Sequence, residues 1–335
     1  MAIRGFSSAA GLSGLAVCVA FALGSQCPAW AQDSWKPSKP VELVVQSAPG
    51  GGTDITARLI QRIIDNQRLL DVPVTVVNKP GGGGNVALAY LNQKSGDGHY
   101  LQIASAAVLT SFITGNSQFN YTNFSPIAQL NSEYIAFAVK ADSAIKNGKD
   151  LLNALARDPA SVSIAIGTAT GGVNHAATAR IAESAGADPK RLKAVVFKSS
   201  SESATALLGG HVDVAASSAS ILLPYVPAQI RLIAITAPAP LGGTLAGVPT
   251  WKEQGVDVDL DNFRMVLGAP KLTPAQIKFW EEKFAKILQS EDWKKDLETQ
   301  GWTGNNMSTA EFSKSLDKQF QTLSATLASL GMAQK

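Results

Sequence analysis

Three glycine-rich segments with small polar residues are the parts of this 335-residue chain best suited to chemistry. They cover residues 49–54, 79–86 and 167–175. Each follows an apolar run that is typical of a strand and precedes a helical pattern. A helix that begins after glycines presents unpaired N–H groups and a partial positive charge, so it can hold an anion without a charged side chain. The three loops therefore predict one shared anion-binding cleft.

Small polar residues near the predicted strand ends are the candidate ligand contacts. Hydroxyl, amide and backbone N–H groups bind and orient a ligand but do little acid–base work. Arg264 has two interpretations, because its guanidinium could offer a bidentate fork to a carboxylate or form a surface salt bridge. The predicted ligand-binding residues are Gly51, Thr53, Asp54, Asn85, Ser105, Thr168, Thr170, Asn174, Ser217, Ser218 and Arg264.

The start of the first predicted helix has a more detailed expectation. Thr53 or Asp54 is expected to cap this helix, with the Asp54 carboxylate accepting backbone N–H groups. Arg58 lies four residues after Asp54, which is the spacing of an ion pair along a helix. The Asp54 carboxylate is therefore predicted to bind groups of the protein itself, rather than to face an anionic ligand and repel it.

Catalytic and metal-binding signatures are missing from the sequence. Of its three histidines, His99 and His211 fall in predicted turns and are interpreted as structural, whereas His175 either lines the cleft or is structural. The sequence has no HExxH, CxxC or GxSxG motif and no phosphate-loop lysine. Val86 stands where a dinucleotide fingerprint would need glycine. We therefore predict a protein that is not an enzyme and uses neither metal nor cofactor.

Strand and helix patterns alternate over most of the chain, which predicts an α/β fold with largely parallel sheets. Predicted strands lie at 41–45, 74–77, 100–104, 135–139, 163–166, 194–196, 212–215 and 231–235. Predicted helices lie at 53–66, 86–92, 148–157, 174–185 and 201–208. Beyond residue 235 a loop and a mostly helical tail are expected, with helices at 274–289, 291–299 and 310–330.

Two strands are expected to carry the chain between two domains. Residues 134–140 would leave the first domain and residues 231–236 would return to it. Domain 1 would then comprise residues 32–137 and 237–335, and domain 2 would be the inserted residues 138–236. Ligands of α/β sheets bind at the carboxyl ends of the strands, so the cleft is placed between these domains.

Residues 1–31 are interpreted as a secretory signal peptide. Arg4 forms a positive start, residues 12–23 are apolar, and residues 29–31 fit a cleavage site. Both cysteines, Cys18 and Cys27, fall inside this segment, so the mature chain would have no thiol, as suits a periplasmic protein. The net charge of +3 comes without a basic cluster, which argues against a nucleic-acid partner.

The ordered set of loop motifs resembles the substrate-binding receptors of tripartite tricarboxylate transporters, the Bug-type periplasmic proteins. The motifs are APGGGTD at 48–54, NKPGGGGN at 78–85, GDGH at 96–99, GGHVD at 209–213 and GVPTWKEQG at 247–255. The resemblance covers nearly the whole mature chain. It implies a two-domain, type II-like Venus-flytrap periplasmic-binding-protein fold with the ligand cleft between the domains.

The resemblance also implies a function. The ligand would be a small organic carboxylate held between residues 49–54 and 167–175, and the partner would be the membrane permease of the transporter. Ser217 stands where many relatives carry an acidic residue, which favours a more highly charged anion. A tricarboxylate, a dicarboxylate and an aromatic carboxylate all remain open, and a monomer is expected. The alternative is an extracytoplasmic sensor that uses the same fold to signal through the membrane.

Overall fold

The described part of the chain, residues 34–334 without residues 168, 259 and 306, contains two β-sheets in this computed structural model. Its strands are β1 (Val41–Val45), β2 (Val74–Asn78), β3 (Tyr100–Ser105), β4 (Ser125–Ser132), β5 (Ile135–Lys140), β6 (Ser163–Gly167), β7 (Lys193–Phe197), β8 (Val214–Ser218), β9 (Ile230–Ile235), β10 (Arg264–Gly268) and β11 (Thr303–Gly304). The first sheet has the order β11-β4-β10-β3-β1-β2 and the second has the order β7-β6-β8-β5-β9.

Helices connect and cover these strands, which confirms the predicted α/β class. They are α1 (Gly52–Asn66), α2 (Asn85–Asn92), α3 (Ala107–Ile113), α4 (Gly148–Arg157), α5 (Val173–Ser184), α6 (Ser200–Leu208), α7 (Ala219–Leu222), α8 (Pro274–Gln289), α9 (Glu291–Gln300) and α10 (Thr309–Ser329). Within the described residues, no helix combines the length and the apolar sequence that a membrane span needs.

Both sheets are mixed, so the prediction of largely parallel sheets was wrong. In the first sheet, β1 pairs in parallel with β2 and β3, but β10 is antiparallel to β3 and β4. In the second sheet, β6 pairs in parallel with β7 and β8, whereas β5 is antiparallel to β8 and β9. β5 and β10 account for this difference. Each is the first strand that forms after the chain crosses from one sheet to the other, and each runs antiparallel to a strand of the parallel set in its new sheet.

Several elements differ from the sequence-based expectation. The tail from residue 274 is mostly helical, as predicted, but β10 lies before it, in a segment where no strand was predicted, and runs through the middle of the first sheet. The strand expected from residue 212 begins at Val214, since Asp213 turns back to accept the N–H of Ser163 at 2.8 Å. Neither β4 nor the short helix α3 was predicted. In β4 the buried side chains include Gln129 and Asn131, whose polarity hides the strand in the sequence.

The core lies where the helices cover the sheets. α1 buries Ile60, Ile63 and Ile64 on its amphipathic face, and α8 buries Trp280 and Phe284. Burying side chains of this size contributes about 1.5–3 kcal/mol each. The two sheets are thereby held as supports for the loops at their strand ends.

The first sheet takes its strands from residues 41–132 and 264–304, and the second from residues 135–235. The proposed domain boundaries follow this division but stay a prediction. The predicted signal peptide, Cys18 and Cys27 lie outside the described residues.

Candidate functional site

A cavity of about 440 Å³ lies where strand ends of both sheets come together. The first sheet contributes the loops after β1, β2 and β3, together with the first residue of β10. The second sheet contributes the loops after β6 and β7 and the last residue of β8. The three glycine loops singled out in the sequence therefore meet at one cavity, at the carboxyl ends of the parallel strands.

The predicted binding residues divide into two groups. Those that line the cavity are Gly51, Thr53, Ser105, Thr170, Ser218 and Arg264. Those described but absent from its lining are Asp54, Asn85, Asn174 and Ser217. Thr168 lies outside the described residues.

Helices that begin at the cavity mostly have no side-chain cap. α1, α2 and α5 have the glycines Gly51, Gly84 and Gly172 at their N-caps, without a side-chain hydrogen bond. By contrast, α4, α8, α9 and α10, whose first turns do not line the cavity, are capped by Asn147, Thr273, Ser290 and Ser308. In α1 the Ser47 hydroxyl accepts the Asp54 N–H, and in α2 the Gly82 carbonyl oxygen accepts the Asn85 N–H. The remaining first-turn N–H groups of these helices are the ones that a bound anion at the cavity would satisfy.

The first turn of α1 differs in one respect from its prediction. Gly51 is the cap, and Thr53 and Asp54 are the second and third helical residues. The Thr53 hydroxyl lies 2.8 Å from the Ser47 hydroxyl, which also accepts the Asp54 N–H. A glycine cap leaves the turn open toward the cavity, which a threonine or aspartate cap would have closed.

The carboxylate of Asp54 does not line the cavity and instead forms hydrogen bonds within the protein. It accepts the Gly50 N–H at 2.9 Å, and the Arg58 guanidinium lies 3.0 Å away, so the predicted pairing with Arg58 is confirmed. Burial raises the pKa of the Asp54 carboxyl, but the hydrogen bonds from Arg58, Gly50 and Asn78 outweigh burial and lower it. The loop before α1 is thus tied down by an ionised side chain that does not face the ligand space.

Arg264 stands at the inner wall of the cavity, buried to 2% exposure. Its guanidinium forms an ion pair with Glu133 and donates to the Asn262 carbonyl oxygen at 2.6 Å. A β-carbon placed on Gly52 would lie 2.3 Å from Arg264 Nη2, so the guanidinium rests against the first residue of α1. Of its two sequence-based interpretations, the surface salt bridge is wrong, because the pair with Glu133 is buried.

Glu133 is a contact that sequence reasoning missed. Its side chain is fully buried between β4 and β5 and also accepts the Ser220 hydroxyl and the Trp302 indole N–H, the latter at 3.1 Å. The signal in the sequence is a single acidic residue just before the apolar pattern of β5. A buried carboxylate without a cation nearby is costly, so such a residue indicates a buried partner such as Arg264.

Hydroxyl groups supply further hydrogen-bond donors to the cavity. The Ser105 oxygen accepts from Gln46 at 3.0 Å and from the Ala107 N–H at 3.3 Å, which leaves its own proton available. The Ser218 oxygen accepts from Asn262 at 3.4 Å and likewise keeps its proton. Together with the helix N–H groups and Arg264, these protons make the wall rich in donors, which suits an anionic ligand.

The remaining predicted contacts have structural environments. Asn85 exchanges hydrogen bonds with Asn116 and Ser117, and Asn174 is buried, donating to the Gly167 carbonyl oxygen at 3.4 Å. Ser217 is fully buried, and its hydroxyl has no hydrogen-bond partner among the described residues. Asn85 and Asn174 thus support the loops, and none of the three side chains lines the cavity.

His99 and His175 form hydrogen bonds that hold nearby turns and loops. His99 bonds through its ring nitrogens to Asp97 at 2.6 Å and to the Ser38 N–H at 3.0 Å, as expected of a turn residue. His175 does not line the cavity, but its Nδ1 accepts the Gly171 N–H at 3.0 Å and so shapes the loop that does. Burial lowers the pKa of the His175 imidazole. In the described part of the chain, no group of histidine, cysteine, aspartate and glutamate residues is arranged to hold a metal ion.

Comparison with known proteins assigns the chain to a family. Residues 56–332 match the model of the tripartite tricarboxylate transporter family receptor. A Cupriavidus necator protein, described as the UPF0065 protein in the gbd 5′ region, is 28% identical over 328 residues, which cover 96% of each chain.

Two solved structures share the fold. The periplasmic binding protein BugD superposes with a TM-score of 0.80 at 19% identity, covering 90% of this chain and 100% of its own. A Rhodopseudomonas palustris protein solved with adipate superposes with a TM-score of 0.79 at 20% identity, covering 89% of this chain and 99% of its own. The predicted periplasmic-binding-protein fold is confirmed, and the chain belongs to the tripartite tricarboxylate transporter receptor family.

Proposed function

We propose that this chain is a periplasmic receptor that captures a small organic carboxylate and delivers it to the permease of a tripartite tricarboxylate-type transporter. Family membership supports the receptor role, and the receptors of this family are periplasmic. Residues 1–31 would direct export and be removed. The receptor would act as a monomer, without nucleic acid.

The contact between Arg264 and Gly52 carries the proposal. This contact places the buried Arg264 guanidinium next to the positive N-terminal end of α1. The two positive charges repel each other, and burial strengthens the repulsion. Glu133 neutralises part of this charge from one side. A ligand carboxylate would neutralise it from the cavity side while accepting the uncapped N–H groups.

Binding without chemistry is inferred from the residues that line the cavity. The described residues that line the cavity include no histidine and a single acidic residue, Glu202. Its carboxylate accepts the backbone N–H of Lys198 at 3.1 Å. Nucleophilic catalysis needs a nucleophile within hydrogen-bond reach of a base, and general acid–base catalysis needs a side chain whose pKa lies near the working pH, most often a histidine. We infer that the site holds its ligand and releases it unchanged.

Closure of the two sheets around the ligand would complete capture. The Ser201 hydroxyl donates to the Gly50 carbonyl oxygen at 3.2 Å, joining the first turn of α6 to the loop before α1. Exclusion of water would strengthen each electrostatic contact in the cavity. The closed form would then present its own surface to the permease.

A thermal-shift screen of the exported protein tests the proposal. The panel contains citrate, succinate, malate, adipate, terephthalate and glutamate, with adipamide as the uncharged control for adipate. A ligand at 100 times its Kd adds about 2.7 kcal/mol to the free energy of unfolding, which raises the melting temperature measurably. We expect at least one carboxylate to raise it and adipamide not to. A protein that responds to adipamide as strongly as to adipate would not be a carboxylate receptor.

A further inference from the structure

Lys198 lines the same cavity as Arg264 but comes from the other sheet. We propose that Lys198 binds the second carboxylate of the ligand and so makes the receptor selective for dicarboxylates over monocarboxylates of the same length. This inference rests on the proposed function, since it assigns the specificity of the same cavity.

The two cations of the cavity lining differ in their partners. Arg264 is buried and already paired with Glu133, so much of its charge is balanced within the protein. Lys198 is exposed, and its ammonium makes no hydrogen bond or ion pair with any of the described residues. Lys198 therefore offers a ligand its full charge, whereas Glu133 offsets part of the charge that Arg264 offers.

The position of Lys198 suits a ligand that is charged at both ends. It directly precedes Ser199, the N-cap of α6, and both Ser199 and Ser200 also line the cavity, so Lys198 enters the lining beside the positive end of that helix. The Ser201 contact to Gly50 holds this end of α6 beside the loop before α1. The cavity thus has a positive group on the side of each sheet. On the side of the first sheet this is Arg264 with the start of α1, and on the side of the second sheet it is Lys198 with the start of α6.

Glu202 is the charge that opposes this arrangement. Its exposed side chain lines the cavity and accepts the backbone N–H of Lys198. A second carboxylate at Lys198 would lie near this negative charge and be weakened by it. Glu202→Gln keeps an oxygen that can accept the same N–H, so this change is expected to tighten dicarboxylate binding at least twofold.

The test compares adipate with hexanoate, which has the same six-carbon chain but one carboxylate fewer. Affinities are measured by calorimetry on the exported wild-type protein and on the variants Lys198→Gln, Lys198→Arg and Lys193→Gln. Lys193 is the matched control, because it is an exposed lysine on β7 that does not line the cavity, and its change removes the same charge. Since Lys198 is exposed, its variants should fold, and their melting temperatures without ligand verify this.

We expect Lys198→Gln to weaken adipate about tenfold, the size of a lost charge-assisted hydrogen bond, and to leave hexanoate within about twofold. Lys198→Arg should retain the preference for adipate, and Lys193→Gln should leave both affinities unchanged. Equal losses for adipate and hexanoate in Lys198→Gln, or equal losses in Lys198→Gln and Lys193→Gln, would overturn the assignment of Lys198 and leave the receptor role standing. A wild-type protein that binds no carboxylate of the thermal-shift panel would instead overturn the proposed function.

Discussion

The guanidinium of Arg264 lies so close to the main chain of Gly52 that a β-carbon at position 52 would stand 2.3 Å from Nη2. Two residues more than two hundred positions apart are thus joined at the point where α1 begins and β10 enters the first sheet. Only glycine at position 52 permits this approach, since real β-carbons do not come so near a nitrogen. The contact concentrates positive charge at one wall of the cavity.

Gly52→Ala is expected to displace Arg264 and to weaken carboxylate binding. The added methyl group must push the guanidinium out of its place, at an overpacking cost of about 1–3 kcal/mol. Loss of one charge-assisted hydrogen bond to the ligand lowers affinity about tenfold or more. Calorimetric titration with the carboxylate that gives the largest thermal shift measures the effect.

Gly242→Ala is the matched control for this change. Gly242 has a φ of −96°, and no atom lies within 4 Å of the place where its β-carbon would stand. Its substitution should leave affinity unchanged. If Gly52→Ala bound the carboxylate as tightly as Gly242→Ala, the close approach to Arg264 would have no role in the site.

Glu133→Gln is expected to reduce the free energy of unfolding by about 3–5 kcal/mol, because it leaves the buried Arg264 without a counter-charge. Urea unfolding followed by circular dichroism measures this loss. The double variant Glu133→Gln, Arg264→Met removes both charges and should recover most of the stability. Recovery is the informative outcome, and a double variant no more stable than Glu133→Gln would show that the ion pair is not the cause.

The buried imidazole of His175 is expected to make stability depend on pH. Burial lowers its pKa in the folded protein below the ordinary value of 6.5, so the unfolded chain takes up the proton first as pH falls. The contribution of His175 is therefore present above pH 6.5 and is lost as pH falls through this value and below. Protonation would also break the bond from the Gly171 N–H to Nδ1.

Urea unfolding at pH 7.5, 6.5 and 5.5 tests this prediction with the wild type and His175→Asn. The wild type should lose its stability advantage over the variant toward pH 5.5. The other titrating groups are common to both proteins and cancel in the difference. An advantage that is constant over this range would rule out a shifted His175.

Asp261 is expected to act in the opposite direction. Burial raises the pKa of its carboxyl to about 7, against hydrogen bonds from Ser132 and the Glu133 N–H and the charge of Arg264. The folded state therefore holds this proton more tightly than the unfolded state, whose carboxyl has its ordinary pKa of 3.8. The contribution is complete below pH 3.8 and is lost as pH rises toward about 7.

Asp261→Asn provides the comparison, since its amide oxygen can still accept the Glu133 N–H. As pH rises from 4 to 7, the wild type should lose stability relative to this variant. Denaturant unfolding across that range measures the difference. A wild type that gains on Asp261→Asn with rising pH would mean that the carboxyl is ionised in the folded protein.

The sequence predicts the local units of this fold well and its long-range pairings poorly. β1 and α1 are found within one residue of their predicted bounds, because an apolar run, a glycine turn and an amphipathic helix are each decided locally. β4 was missed because its buried Gln129 and Asn131 resemble loop residues. Their burial depends on β10, a strand more than a hundred residues away.

The same limit applies to the site. The glycine loops predicted the place of the cavity, since their chemistry lies in consecutive residues. The pairing of Arg264 with Glu133 and the approach of Arg264 to Gly52 depend on how β4, β10 and α1 come together. No spacing along the chain encodes these contacts. The role of Lys198 likewise becomes visible once its cavity and its lack of partners within the described residues are known.

The most direct test of the central claim is a crystal structure of the protein grown with the carboxylate that gives the largest thermal shift. We predict electron density for one carboxylate within hydrogen-bond distance of both Arg264 and the N–H groups at the start of α1. A ligand bound elsewhere, with neither Arg264 nor the start of α1 in contact with it, would contradict the account.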